Sequence, residues 1–379
     1  MKKHVIGTLV IHADATFLNG AGIASGGEDK NTVVTKTLWQ KINGRPMEIP
    51  YVSSQSFRRW LRDTSNEENN WQPSTLHSIG QSAKGSTNKI STYLDPVIYP
   101  EDDLFGYMMA VPAKKPKKTG DKSEVIDISD EQKAINENLK ILQNKKIQSI
   151  QRTSVFRNSI LKAIPGANIN TDEAFVHLAE GTPVPYSTKF YMAHLQSIFG
   201  LDIERLGRFE NIGSKVELDP NKIEEYLNQK KIIETKKDKN KKIVYELSNR
   251  ENEIGNRISG LLKSLARLRG GAKMAAFGAD VTPKIIILAV LNGGNLIFND
   301  LFEYGKINPK IKMDAFEDAI ESFADRIDNK KIYVGYRRDY LENHSEIPER
   351  IKGIDIIKGN TTKMVDQFLR DNNYENSAN

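Results

Sequence analysis

Apolar and β-branched residues follow one another almost without interruption from His4 to His12, a pattern that predicts a buried strand. A glycine-rich stretch, Asn19–Gly27, comes next. Over Val52–Thr64 the period changes: Phe57, Trp60, Leu61 and Thr64 recur at helical spacing and share one face of a predicted helix. Residues 65–100 are polar, rich in Ser, Asn and Gly, and predict irregular surface structure. Asp103–Ala110 is a compact apolar patch that predicts a short helix, and Lys189–Ile203 predicts a further strand. The last third is the most regular. Ile254–Leu268 is amphipathic and stops at Gly270-Gly271, as a helix does. Lys284–Leu291 predicts a strand, Asn292-Gly293-Gly294 a turn and Asn295–Phe298 a return strand. Asp314–Ile327 predicts a helix with Phe316, Ile320, Phe323 and Ile327 on one face, and Lys331–Tyr336 a strand. The order is that of an α+β, ferredoxin-like β-α-β-β-α-β plan, with two helices on one face of an antiparallel sheet and large insertions between the elements. No internal repeat is present.

Composition narrows the chemistry. The 379 residues carry 55 Lys plus Arg against 49 Asp plus Glu, a net charge of +6. That mild excess permits a polyanionic partner without requiring one. Cysteine is absent, which excludes disulfides, thiol catalysis and thiolate metal sites, and a reducing, cytoplasmic setting is expected. The longest apolar run, Ile285–Leu291, is too short to span a bilayer, so no membrane partner is expected. Met1–Ile11 faintly resembles a signal peptide, but His12 and Asp14 interrupt it and no cleavage signal follows, so the segment is read as a strand. Two lysine-rich segments, Ala113–Lys122 and Lys230–Lys242, suit solvated insertions; non-specific phosphate contact is the alternative.

The most informative stretch is Tyr51–Arg62. Ser53 or Ser54 suits a helix N-cap, and no acid occupies the first turn. The amides and the positive dipole end are then open to an anion, with Arg58, Arg59 and Arg62 beside them and off the apolar face. A phosphodiester backbone fits this pattern; so does a surface helix whose arginines pair with Asp63 or Glu67. Gly270-Gly271-Ala272-Lys273 allows either a close backbone approach with a point-charge contact or a plain helix stop followed by a surface lysine. The glycine loop lacks the sequel of a P-loop; the nearest miss, Gly80–Ser86, has no lysine after its second glycine. His12 and Asp14 suit a metal less well than a structural role, and Asp102 and Asp103 suit the acidic start of a helix better than a cation site. There is no His-Glu-x-x-His and no Gly-x-Ser-x-Gly elbow, and no metal or cofactor is expected.

Taken in order, the first strand, the glycine loop, Asn31–Lys36, Val52–Arg59, Asp103–Met108 and Gly271–Lys273 ahead of Asp280–Ile285 give a familiar series. The chain resembles the backbone subunit of type I CRISPR Cascade complexes, in the DevR-like branch found in type I-B systems. The resemblance covers nearly the whole chain except the insertions, above all 113–150 and 210–250. It implies a hand-shaped molecule whose palm is a modified RNA-recognition-motif fold built from 1–64, 151–164, 187–209 and 251–379. Fingers at 65–150, a thumb hairpin at 165–186 and a lysine-rich insertion at 210–250 complete the hand. It implies a non-enzymatic protein that polymerises with copies of itself along crRNA, joins other Cascade subunits and presents the guide to target DNA. The aromatic signature of ordinary RNA-recognition motifs is missing, so base stacking on the sheet is not expected. The RNA contacts implied are Lys36, Ser53, Ser54, Gln55, Ser56, Arg58, Arg59, Arg62, Arg152, Arg157 and Lys273. The alternative is a type III-like backbone subunit that cleaves target RNA with a loop acid, for which Glu28 and Asp29 are placed. A DNA-binding regulator would need a helix-turn-helix, and no segment supplies one.

Overall fold

The first apolar run forms the central strand of the main sheet. β1 (Lys3–Thr16) holds Val5, Ile6, Leu9, Val10 and Ile11 fully buried, as a strand covered on both faces requires. The computed structural model describes residues 2–23, 32–75, 77–79, 89–111, 130–176, 179–182, 184–237 and 242–375, which divide into two units. The first comprises residues 1–69, 156–203 and 258–379, the second 70–155 and 204–257.

In the first unit, β1 is followed by β2 (Arg45–Val52), α1 (Ser54–Asn69), β3 (Leu161–Ala163) and β4 (Val184–Asp202). Then come α2 (Arg250–Ala266, part of this unit from Ile258 on), β5 (Ile285–Asn292), α3 (Met313–Ser322), β6 (Lys331–Tyr336), β7 (Ile354–Gly359) and α4 (Thr361–Asp371). The sheet runs β7-β6-β5-β1-β4-β3-β2, with strand Thr37–Ile42 outside β2. β1 is antiparallel to both neighbours, His4 facing Asp202 of β4 and Lys3 facing Asn292 of β5. Helices and an antiparallel-dominated sheet make the fold α+β. Ile6, Val10, Ile287, Ile332 and Val334 pack with Phe316 and Ile320 of α3 in one core. The first part of β4 extends into a hairpin with Asn168–Val176, in register from Asn168↔Met192 to Val176↔Val184.

Two apolar segments depart from the sequence pattern. Asn295–Phe298 forms no return strand; Phe298 and Leu301 are instead buried in the core beside α3, so the run is used in packing rather than in a ladder. α3 stops at Ser322, and Ile327 closes a bridge to Leu291 of β5.

The second unit has its own sheet, in the order Ile232–Lys237, Lys242–Leu247, Arg208–Ile212, Lys215–Val216, Ser149–Arg152, Tyr107–Ala110. The stretches 65–150 and 210–250, separate in the sequence reading, thus supply strands to one sheet. The patch at Asp103–Ala110 splits into helix Pro100–Phe105 and strand Tyr107–Ala110, and Glu101, Asp102 and Asp103 do occupy the helix's first turn. The described part of Lys230–Lys242 forms strands with Ile232 buried; Ala113–Lys122 lies outside the described residues. Among the described residues no helix is long and apolar enough to cross a membrane.

Candidate nucleic-acid interface

α1 begins where its sequence predicts. Ser53 is the N-cap: its Oγ accepts from the Ser56 amide at 3.2 Å, and its carbonyl accepts from Phe57 N at 3.0 Å. With Ser56 satisfied, the amides of Ser54 and Gln55 are the first-turn donors left without an intrahelical acceptor. No acid lies in the first turn, so the dipole end stays positive. Gln55 is exposed, and Ser54 and Ser56 are half-buried.

The helix is fixed by its apolar face. Phe57, Trp60, Leu61 and Thr64 are all buried. A side chain at Gly270 would overlap the Trp60 ring, so glycine there permits the close approach of the Gly270-Gly271 turn to α1. Thr64 Oγ1 accepts from Arg269 N at 3.1 Å on the same edge.

A short segment after β1, Phe17–Asn19, gathers three of the expected contacts. Asn19 Oδ1 accepts from Ser53 N at 3.0 Å, and its carbonyl accepts from Lys36 N at 3.0 Å. Phe17 O accepts from Ala272 N at 3.3 Å, and Lys273 Nζ lies 5.3 Å from the centre of the Phe17 ring while donating to Thr188 Oγ1 at 2.7 Å. Residues distant in sequence, Lys36, Ser53 and Lys273, are thereby tied to one loop. Lys36 also lines a groove of about 370 Å³ with Lys189 and Tyr51. Asn19, Tyr51, Thr188 and Lys189 were not legible as site residues, because each is a common residue brought there only by tertiary structure, the last three by the sheet's register and Asn19 by the segment after β1.

The arginines divide. Arg58 is half-buried and donates from Nε to Asn158 Oδ1 at 3.2 Å. Burial, then the neighbouring Arg62 charge, pulls its guanidinium below its ordinary value. Arg62 is half-buried one turn on. Arg59 is exposed and donates to Asp63 Oδ2 at 2.8 Å, the surface pairing that the sequence left open; Glu67 pairs with Arg269 instead. Arg157 is exposed but turned away: it follows Phe156 and precedes Asn158 in a strand, so Asn158 meets α1 while Arg157 points to the opposite face, near the Gly294 carbonyl at 3.3 Å. Arg152 is excluded from any surface. Its side chain is 0% exposed, paired with Asp103 and with Glu217 at 3.0 Å, and it also donates to the carbonyls of Arg205 and Arg208. A guanidinium so enclosed has no donor left for a phosphate. Glu28 and Asp29, the loop acids of the cleavage alternative, lie outside the described residues.

His12 is accounted for structurally. It stacks on His194 at 4.8 Å, and the His194 Nε2–H donates to the Ile307 carbonyl at 3.3 Å while Nδ1 accepts from Tyr340 O–H at 2.7 Å. No cluster among the described residues could hold a metal.

No family profile matches the chain, and no curated protein matches it in sequence. Solved structures do match. A chain titled CRISPR RNA-guided surveillance complex aligns with a TM-score of 0.50 and 9% identity, covering 97% of this chain and 99% of that one. A second, titled CRISPR RNA-guided surveillance complex, pre-nicking, aligns with a TM-score of 0.51 and 11% identity over the same shares. At such identity the likeness is one of fold: from end to end, this chain is folded like a chain of a CRISPR RNA-guided surveillance complex.

Proposed function

We propose that the protein is a non-catalytic, crRNA-binding scaffold subunit of a Cascade-type interference complex. It polymerises along the guide and presents it for pairing with target DNA. The observation that carries this reading is the end-to-end fold match to surveillance-complex chains. The gathering of Lys36, the α1 start and Lys273 around Phe17–Asn19 supports it from chemistry. The strand order β5-β1-β4-β3, all antiparallel, supports a ferredoxin-like palm, and the hairpin of Asn168–Val176 with β4 supports a thumb. The sequence motifs favour the DevR-like, type I-B branch.

In this role the amides of Ser54 and Gln55 and the charges of Arg58, Arg62, Lys36 and Lys273 hold backbone phosphates. Base edges stay free, as RNA-guided recognition requires. Such contacts carry no sequence information and release counterions, so affinity falls steeply with salt. The test is binding of the purified chain to unrelated single-stranded RNAs across a salt series, with assembly followed by light scattering. Comparable affinities and a steep salt slope are expected. Binding confined to one sequence and insensitive to salt would overturn the reading. Guide-loaded protein should leave complementary RNA and DNA intact in magnesium or manganese; cleavage lost in Asp29→Ala would replace the scaffold with an enzyme.

A further inference from the structure

Trp39 is 72% exposed on strand Thr37–Ile42, at the edge of the main sheet. Tryptophan has the largest apolar surface of any side chain, and isolated exposure of this extent asks for a partner. Of the other tryptophans, Trp60 is buried and Trp71 half-buried. In the ladder with β2, Trp39 faces Glu48 and Thr37 faces Pro50, so Thr37, Trp39 and Glu48 project from one face of the hairpin, with Lys41 two residues further along it. Thr37 and Glu48 also line the groove of about 370 Å³ that contains Lys36, Lys189 and Tyr51. The indole therefore stands beside the mouth of a groove carrying two ammonium groups. The one acid among the described residues that line it, Glu48, accepts from Thr37 Oγ1 at 2.6 Å.

The flanking positions on this face are Thr37, Lys41 and Glu48 with Pro46 and Pro50, and no second large apolar side chain joins the indole there, so the face is no extended hydrophobic docking patch. An isolated ring beside lysines is instead the pairing that holds single-stranded nucleic acid: the base lies on the π-face and the phosphate meets a cation. The groove's volume is at the small end of ligand sites and suits one nucleotide unit. We propose that Trp39 stacks on a base of single-stranded RNA whose adjoining phosphate enters the groove between Lys36 and Lys189. The ring lies on an edge hairpin, which supplies stacking without the aromatic signature on the sheet face. This proposal rests on the RNA-binding reading above.

The full chain, titrated with labelled oligouridine, tests it through three variants. Trp39→Ala should lose roughly tenfold or more in affinity, while Trp39→Phe retains most of it. RNA should quench the indole fluorescence of the wild type and leave that of Trp39→Phe nearly unchanged. Lys36→Ala with Lys189→Ala should flatten the salt dependence, which Trp39→Ala leaves intact. An oligonucleotide of the same length without bases should bind wild type and Trp39→Ala alike. Both Trp39 variants should unfold at the wild-type temperature, because Trp39 is exposed. If Trp39→Ala binds oligouridine as tightly as the wild type, the stacking site is refuted while the scaffold reading stands. A variant that binds RNA normally but no longer self-associates would assign the ring to a contact between copies and equally refute it. A wild-type chain that binds no RNA overturns both readings.

Discussion

Arg58 in the first unit and Arg152 in the second are the same side chain partly or wholly withdrawn from water, and they are compensated differently. Around Arg152 the protein supplies acids. Asp103 takes a donor from Arg152 through one oxygen and accepts from Arg257 at 2.5 Å and Gly207 N at 2.9 Å through the other, while Glu217 bridges Arg152 and Arg205. Burial alone would pull Arg152 down, but the charges of Asp103 and Glu217 more than offset it and hold the group above its ordinary value. Around Arg58 no acid is supplied among the described residues: its partner is the neutral amide of Asn158 and its charged neighbour is another arginine, so burial and repulsion hold it below its ordinary value. A cation whose countercharge is built in has a structural task. On the proposed reading, a cation left half-buried among neutral and like-charged groups would meet an anion from outside, and the acid-free first turn of α1 favours the same use.

The largest expected effect tests the structural side of this contrast. Asp103→Ala leaves Arg152 and Arg257 buried without their shared carboxylate and should cost roughly 3–5 kcal/mol in urea unfolding. An unchanged midpoint would show that the network is not a closed one.

Next comes the ligand-facing side. Arg58→Glu with Arg59→Glu should abolish assembly on RNA, each lost charge-assisted contact costing roughly 1.5–3 kcal/mol in every subunit. Thermal unfolding should barely move, because both lie off the apolar face and the exposed Arg59–Asp63 pair adds little. Trp60→Ala is the control in the opposite sense, losing roughly 3–5 kcal/mol of stability by emptying the contact with Gly270. A double arginine variant that stays folded and assembles normally would move the clamp to Lys36 and Lys273.

Acid sharpens the comparison further, since each unit buries a titratable group whose shift carries the opposite sign for stability. Burial, then the His12 charge, pulls His194 down to about 4 from an ordinary 6.5. The unfolded chain then takes up the proton first, and the first unit loses stability as pH falls from about 6.5 towards about 4. Burial pushes Asp102 up to about 6 from 3.8, so the unfolded chain gives up its proton first and the second unit loses stability as pH rises across that interval. Each contribution is at most ~3 kcal/mol. His194→Gln should flatten the acid limb of a stability–pH profile and Asp102→Asn the rising one; profiles identical to the wild type would refute both assignments.

The smallest effect belongs to the cap. Ser53→Ala should cost about 1 kcal/mol by orphaning the Ser56 amide, with little change in RNA affinity, because its hydroxyl serves the helix and not the ligand. A large loss of RNA binding with unchanged stability would make Ser53 a direct contact.

Much of this was legible in the residues themselves. The strand at β1, the buried face of α1, its serine cap and acid-free first turn, and the limits of β6 follow from short-range periodicity, which local backbone geometry imposes on any chain. What the sequence could not decide was which cations meet solvent and which apolar residues do not find a core. Arg152 and Arg157 sit five positions apart with the same chemistry. The first is enclosed because Asp103 and Glu217, far away in the chain, converge on it; the second faces out because strand alternation turns it from Asn158. Asn295–Phe298 looked like a strand and became core packing beside α3, and Trp39, which the sequence did not single out, was left on an open edge. Local pattern specifies a segment's conformation. The neighbours that satisfy or expose a side chain are brought by the long-range pairing of β1 with β4 and β5, and only tertiary structure contains that information.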